Sequence, residues 1–278
     1  MRPGCVVVDK GEVLTVANEG SSQAWPDVLW VVRHGQSAGN MANAAAYAAG
    51  LETIDLPTRD VDVPLSDLGE RQAAAVGRWF AAMPPHERPE VVLSSPYQRA
   101  LRTAEAIAGA IGLDTDGDAF VIDERLREKE LGLLDGLTRM GIAARYPEQE
   151  AMRRHIGKFY YRPPQGENWC DVTQRLRSLF DTIAREHHER RVLLACHSAV
   201  ILCLRYLLEG LTEQQILGID RAGDIANCAV TWYTLDPSRG MRGRMTLREY
   251  NLSAPLNDDD TPVTHEHDAR KAVDAHGE

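Results

Sequence analysis

The chain has 278 residues, 31 Lys and Arg against 41 Asp and Glu, a formal net charge of −10, 44% apolar residues and 26% charged ones. That composition fits a soluble globular protein with one large α/β domain or two smaller ones. The acidic balance argues against nucleic acid as the main partner, because binding to a phosphate backbone needs clustered Lys and Arg. No apolar run reaches the roughly 18 residues of a membrane span.

From the N-terminus, Met1-Arg2-Pro3-Gly4-Cys5 leads into only Val6-Val7-Val8 before Asp9, too short an apolar core for a secretory signal. A cytoplasmic location is therefore expected. Residues 1–25 read as an appendage: Cys5–Val8 and Val13–Val16 flank Asp9-Lys10-Gly11-Glu12, a hairpin turn pattern. Such a hairpin can pair with a second copy, so a homo-oligomer is one expectation. Val28–Val32 is a buried strand that stops at Arg33-His34-Gly35. A cation beside an imidazole at a strand end, over backbone free to turn, suits a phosphate.

Helical spacing follows at Leu68, Gln72, Val76, Trp79, Phe80 and Met83, after the turn Pro64–Asp67. Val91–Leu93 is a short strand. Ser95 is expected to cap a helix with Pro96 at its first position and a stripe of Ala100, Ala104, Ile107 and Ile111 before Gly112. A long helix is expected from about Asp171, a strand over Val192–Cys196, an apolar helix near Ala199–Leu208 and a closing strand over Ala229–Leu235. Strands alternating with helices predict a three-layer α/β/α domain with a mainly parallel central sheet, spanning residues 26–250. In such sheets ligands bind beyond the carboxyl ends of the strands, where Arg33-His34 and His197 fall. From Asn251 the apolar period dissolves, so residues 251–278 are expected to be a disordered acidic tail, with His265 and His267 as solvated residues.

Five cysteines, Cys5, Cys170, Cys196, Cys203 and Cys228, show no C-x-x-C spacing and read as reduced thiols. Cys196 directly precedes His197, but neighbouring strand residues point to opposite faces, which speaks against a Cys-His nucleophile.

The run Arg33-His34-Gly35-Gln36-Ser37 with Asn40 resembles the signature of the histidine phosphatase superfamily, which includes cofactor-dependent phosphoglycerate mutases and many phosphatases. Three further blocks follow in order. Ser94-Ser95-Pro96…Arg99-Ala100…Thr103-Ala104 places Arg99 in the first turn of a helix, where a guanidinium suits phosphate oxygens; Arg102 is the alternative, as a surface cation. Leu126-Arg127-Glu128…Gly132…Gly136 is similar to the segment whose Glu protonates the leaving group, with Glu124 and Glu130 as alternatives to Glu128. Leu193–Val200 carries the second His, His197, followed by Ser198 where the family usually has Gly. Two weaker echoes are Pro164-Gln165-Gly166-Glu167 and Asn227-Cys228-Ala229-Val230, either of which can be purely structural. The resemblance covers about residues 27–250.

The resemblance implies a histidine acid-type phosphatase, a phosphoric monoester hydrolase. In it His34, Glu128 and His197 are catalytic, and Arg33, Asn40, Arg99 and His197 bind phosphate. It implies a phosphohistidine intermediate on His34, no metal, no cofactor, and a small phosphorylated metabolite as substrate. Two unit charges about 4 Å apart attract by ~4 kcal/mol at an effective dielectric of ~20, so a few such cations matter. Glu130 falls where glycolytic mutases carry His, and their proline run is missing, which favours a phosphatase. A mutase and a non-catalytic binding member of the fold are the other readings. Residues 136–171, with Arg153, Arg154, His155, Lys158, Tyr160, Tyr161 and Arg162, form an insert expected to be a lid, against the plainer reading of a solvated helical face. Residues 41–63 are the other expected wall.

Overall fold

The computed structural model describes residues 25–240, 242–257 and 259–265. The proposed N-terminal hairpin and His267 lie outside the described residues. Among the described residues six strands form one sheet: β1 (Val28–Arg33), β2 (Val91–Ser94), β3 (Phe120–Ile122), β4 (Arg191–Cys196), β5 (Val230–Asp236) and β6 (Arg244–Leu252). Their order is β3-β2-β4-β1-β5-β6. The first four in that order pair in parallel, and β5 and β6 add an antiparallel edge. The expected mainly parallel three-layer architecture is the one observed.

The layers follow from the period-2 alternation of the central strands. Leu29, Val31, Val192 and Leu194 face one core, filled by α6 (Trp169–Glu186) and α7 (Ser198–Glu209) through Val172, Leu176, Leu179, Ile183, Ile201 and Leu204. Trp30, Val32, Leu193 and Ala195 face the other, against α2 (Asp67–Ala81) and α3 (Gln98–Ile111) through Ala73, Val76, Phe80, Ala104 and Ile107. Each such buried aliphatic or aromatic side chain is worth about 1.5–3 kcal/mol, so both sheet faces are held firmly and the strand ends are fixed. Cys196 lies in the first core, not in the site, and burial, reinforced by Glu128, pushes its thiol well up.

Helix ends follow local chemistry. Ser66 caps α2 by accepting from Gly69 N at 3.0 Å. Asn168 and Asp171 form a reciprocal box that starts α6 two residues before the expected Asp171. Gly112 ends α3 in the left-handed region at φ 77°.

Two expectations are corrected. Ser95 does not cap α3, which begins at Gln98 with Tyr97 at the cap position and no side-chain cap. Residues 251–257 and 259–265 of the tail are not disordered: β6 runs to Leu252, a short helix spans Ala254–Asn257, and Leu256 is fully buried. Thr264 accepts from Gln72 Nε2 at 2.9 Å and donates to Asn227 at 3.0 Å, and Arg78 binds Asp259. Single apolar anchors and side-chain hydrogen bonds order this stretch without any apolar period. The insert expected to be a lid holds α4 (Arg139–Arg145) and α5 (Pro147–Ile156), and several of its side chains, like some of α1 (Ala38–Ala48), line the cavity described next. Among the described residues no helix is long and apolar enough to cross a membrane.

Candidate active site

The backbone of β1 runs one step past the strand, with His34 N donating to Cys196 O at 3.0 Å, so His34 and His197 sit at neighbouring carboxyl ends of the sheet. Gly35 follows because the chain must pass close to α2. A Cβ there would stand 2.6 Å from Gly69 O, and one on Gly69 would stand 2.0 Å from Gln36 O. Close packing therefore calls for the glycine, not the freedom to turn expected above. Thr103 Oγ1 accepts from Gly35 N at 3.1 Å and donates to Arg99 O at 2.8 Å, tying the turn to α3.

A cavity of about 490 Å³ opens beyond these strand ends, lined by Arg33, His34, Asn40, Arg99 and Glu128 among others. Five of the six predicted site residues therefore share one cavity. The sixth, His197, is fully buried beside it, its ring centroid 5.1 Å from that of His34.

His34 is 3% exposed, and its Nδ1 lies 2.7 Å from Gly35 O. Burial, then the positive charges of Arg99 and Arg33, hold its pKa well below the usual 6.5. The ring is therefore neutral near pH 7. A carbonyl oxygen only accepts, so Nδ1 holds the ring proton and Nε2 keeps its lone pair.

His197 is governed likewise, its pKa held well down by burial and then by Arg99, with His34 and Arg33 adding to the effect. Its Nε2 lies 2.8 Å from Ser95 Oγ, and its Nδ1 is buried with no hydrogen-bond partner among the described residues. Ser95 Oγ also accepts from Tyr97 N at 3.2 Å, which leaves its own proton for His197 Nε2. The Tyr97 ring meets His197 edge-on at 5.2 Å. Ser95 thus orients the second imidazole instead of capping α3.

Arg33 is 1% exposed and donates to Ile225 O. Arg99, 6% exposed, lies at the start of α3 with its guanidinium 5.0 Å from the Tyr97 ring centroid. It forms an ion pair with Asp60 at 3.0 Å and donates to Asp60 O at 2.7 Å. Asp60 has no sequence signal, since it lies in a short 3-10 turn 39 residues away along the chain. Arg102 is a surface cation, half-exposed and paired with Glu105 at 2.7 Å. Asn40 Oδ1 accepts from Ser37 N at 3.0 Å and Asn227 Nδ2 at 3.2 Å, which leaves its NH₂ end for a ligand.

Glu128 Oε1 accepts from Lys129 N at 2.7 Å. Glu130 also lines the cavity and accepts from Tyr97 OH at 2.7 Å, whereas Glu124 is exposed and outside it. Asp135 is a further cavity carboxyl, held above its usual range by burial and by Asp60. From the insert, Arg139, Gln149, Glu150, Arg153, Lys158 and Tyr161 reach the cavity, while Arg154, His155, Tyr160 and Arg162 do not. From the other expected wall, Asn43, Tyr47, Ile54, Leu56, Thr58 and Asp60 line it.

Two buried imidazoles, one with a free lone pair, beside two buried guanidiniums and a carboxyl, make a site for phosphoryl transfer. The model of the histidine phosphatase superfamily (branch 1) matches residues 29–246, and the chain belongs to that family. A glucosyl-3-phosphoglycerate phosphatase from Mycolicibacterium vanbaalenii is 29% identical over 241 residues, covering 83% of this chain and 97% of the relative. A 2,3-bisphosphoglycerate-dependent phosphoglycerate mutase from Methylobacterium is 30% identical over 200 residues, 69% of this chain and 86% of its own. The chain spans only 34% of a 6-phosphofructo-2-kinase/fructose-2,6-bisphosphatase from Gallus gallus, to which it is 29% identical over 68% of its own length. Among solved structures, a mycobacterial glucosyl-3-phosphoglycerate phosphatase with VO3 is 26% identical at a TM-score of 0.61, over 82% of this chain and 100% of that one.

Proposed function

We propose that this chain is a phosphomonoesterase that acts through a phosphohistidine on His34, without metal or cofactor, on a small phosphorylated metabolite. One observation carries the reading: the Nδ1 contact to Gly35 O at 2.7 Å leaves Nε2 as the nucleophile in a ring kept neutral by burial and two arginines.

In the first half-reaction the Nε2 lone pair attacks phosphorus in line. The P–O ester bond breaks, and the leaving oxygen takes the proton of the Glu128 carboxyl to depart as an alcohol. In the second, water attacks the phosphohistidine and gives a proton to the Glu128 carboxylate. The N–P bond electrons return to Nε2, and inorganic phosphate leaves. Arg33 and Arg99 meet the charge on the equatorial oxygens, with Asn40 Nδ2 and a proton on His197 Nδ1 as further donors. These guanidiniums supply the positive charge the step requires. Asp60 holds part of the Arg99 fork through Nη1 and Nη2, so it competes with phosphate for that guanidinium.

The neutral state of His34 persists into mildly acidic solution, which supports the acid-type assignment. Glu130, a carboxyl on the cavity wall at the position where glycolytic mutases carry His, supports hydrolysis over bisphosphoglycerate-primed mutase transfer. The test is phosphate release from para-nitrophenyl phosphate in the presence of chelator. Turnover is expected, and it is expected to vanish in His34→Ala. Turnover that persists in that variant, or an inactive folded protein across a broad phosphate panel, overturns the proposal. Phosphate transfer between hydroxyls that needs a bisphosphoglycerate primer moves the assignment to the mutase.

A further inference from the structure

Glu128 stands on irregular backbone, between a 3-10 turn at Glu124–Leu126 and another at Gly132–Leu134. No helix or strand fixes it, so something else must. The neighbouring strand end is not sufficient, because the Glu128 segment makes no ladder with it.

Two side chains converge on this segment from α6 and the loop before it. Arg175, with its side chain 10% exposed, donates through Nη1 to Arg125 O and through Nη2 to Glu128 O at 3.2 Å. Its Nε and Nη2 also reach the two oxygens of Glu167, at 3.0 and 3.1 Å. Glu167, 12% exposed, accepts in addition from Arg127 Nη2 at 2.8 Å and from Glu130 N at 3.2 Å. The residue on one side of Glu128, the backbone of Glu128 itself and the residue two positions after it are therefore all held by one ion pair. The backbones interlock beside it. Glu167 N donates to Glu130 O at 3.0 Å and Leu133 N to Pro164 O at 3.0 Å. A Cβ on Gly166 would stand 2.6 Å from Glu130 O, and one on Gly132 would stand 2.2 Å from Pro164 O.

We infer that Glu167 and Arg175 are positioning residues for proton donation: their ion pair sets where the Glu128 carboxyl meets the departing oxygen. Neither residue lines the cavity, so both act through the Glu128 backbone. The inference rests on Glu128 as the proton donor. A buried ion pair of this kind adds little net stability but holds geometry once built, and breaking one partner leaves the other uncompensated. Displacing a catalytic group by about 1 Å can cost on the order of 100-fold in rate.

A purely structural pair and a positioning pair differ in one readout, the dependence on leaving group. A donor matters for an alkoxide and hardly at all for a phenolate of low pKa. The experiment compares kcat/KM for an alkyl phosphate and for 2,4-dinitrophenyl phosphate in wild type, Glu128→Gln and Glu167→Gln, because kcat/KM reports the P–O cleavage half-reaction. Glu167→Gln is expected to lose roughly 10-fold or more on the alkyl ester and less than about threefold on the dinitrophenyl ester, the same selective pattern as Glu128→Gln. Equal losses on both esters in Glu167→Gln, alongside a selective loss in Glu128→Gln, overturn the inference and leave the proposed function standing. Equal losses in Glu128→Gln remove the proton-donor assignment, and the inference with it. If Glu167→Gln does not fold, Arg175→Lys, which keeps the charge but not the fork, is read by the same two criteria.

Discussion

His34 Nδ1 lies 2.7 Å from the carbonyl oxygen of its own neighbour, Gly35, and that contact leaves Nε2 with its lone pair, the nitrogen proposed as nucleophile. Selection costs no extra residue, because the strand end supplies the acceptor itself. Burial and the flanking arginines then keep the ring unprotonated. The acid limb of kcat/KM, which reports the free enzyme, is therefore expected below the ordinary histidine value of about 6.5. A profile of kcat/KM from pH 4 to 8 with para-nitrophenyl phosphate checks this, after allowance for the titration of the substrate itself. An acid limb at pH 7 or above, after that allowance, would be incompatible with it.

The same depressed values bear on stability. In the unfolded chain both histidines titrate near 6.5, while in the folded chain His34 and His197 titrate lower. Below 6.5 the unfolded state binds more protons, so stability is full above that pH and is lost as pH falls towards the folded values. The slope is at most about 1.4 kcal/mol per pH unit for each histidine. Half-buried His187 contributes with the same sign. Urea unfolding at pH 7, 6 and 5 is expected to show this decline, and to show it reduced in a His34→Ala variant.

In the proposed mechanism Asp60 and phosphate compete for Arg99. The Asp60 side chain is 44% exposed, so the pair is screened and its strength modest. Asp60→Asn is expected to tighten inhibition by inorganic phosphate or vanadate by about threefold to tenfold, roughly 0.7–1.4 kcal/mol. Arg99→Ala is expected to weaken it severely. Arg102→Ala, on the surface beside Glu105, is expected to stay within about twofold of wild type. Inhibition constants for the three variants decide the matter.

Gly35 is a packing requirement. In Gly35→Ala the new methyl would stand 2.6 Å from Gly69 O, a backbone atom that cannot turn aside. A destabilisation of about 1–3 kcal/mol is expected, with a loss of activity as His34 shifts, measurable by thermal unfolding and kcat/KM.

Much of this was legible in the sequence, for physical reasons that differ by element. The central strands announced themselves as short apolar runs because both their faces are covered, and the charged residues that stop them, Arg33-His34 and His197, mark the ligand end of a parallel sheet. The site residues came from four local blocks, each read off its own motif. Strand β3 was not legible because three residues carry no period, and β6 was not because an edge strand such as Arg244–Leu252 alternates too weakly with charge. Asp60 and Ser95 were missed as partners because their roles depend on long-range contacts, 39 and 102 residues along the chain. The ordered stretch up to His265 was missed because isolated anchors such as Leu256 and Thr264 hold it, not an apolar stripe.

The central claim is covalent, and trapping tests it most directly. Rapid acid-free quenching of the enzyme during turnover of a phosphomonoester, followed by ³¹P NMR and peptide mapping, should find acid-labile phosphorus on Nε2 of His34, and none in the His34→Ala protein. Steady turnover with no phosphoenzyme at any quench time, or phosphorus carried by a residue other than His34, would contradict the account.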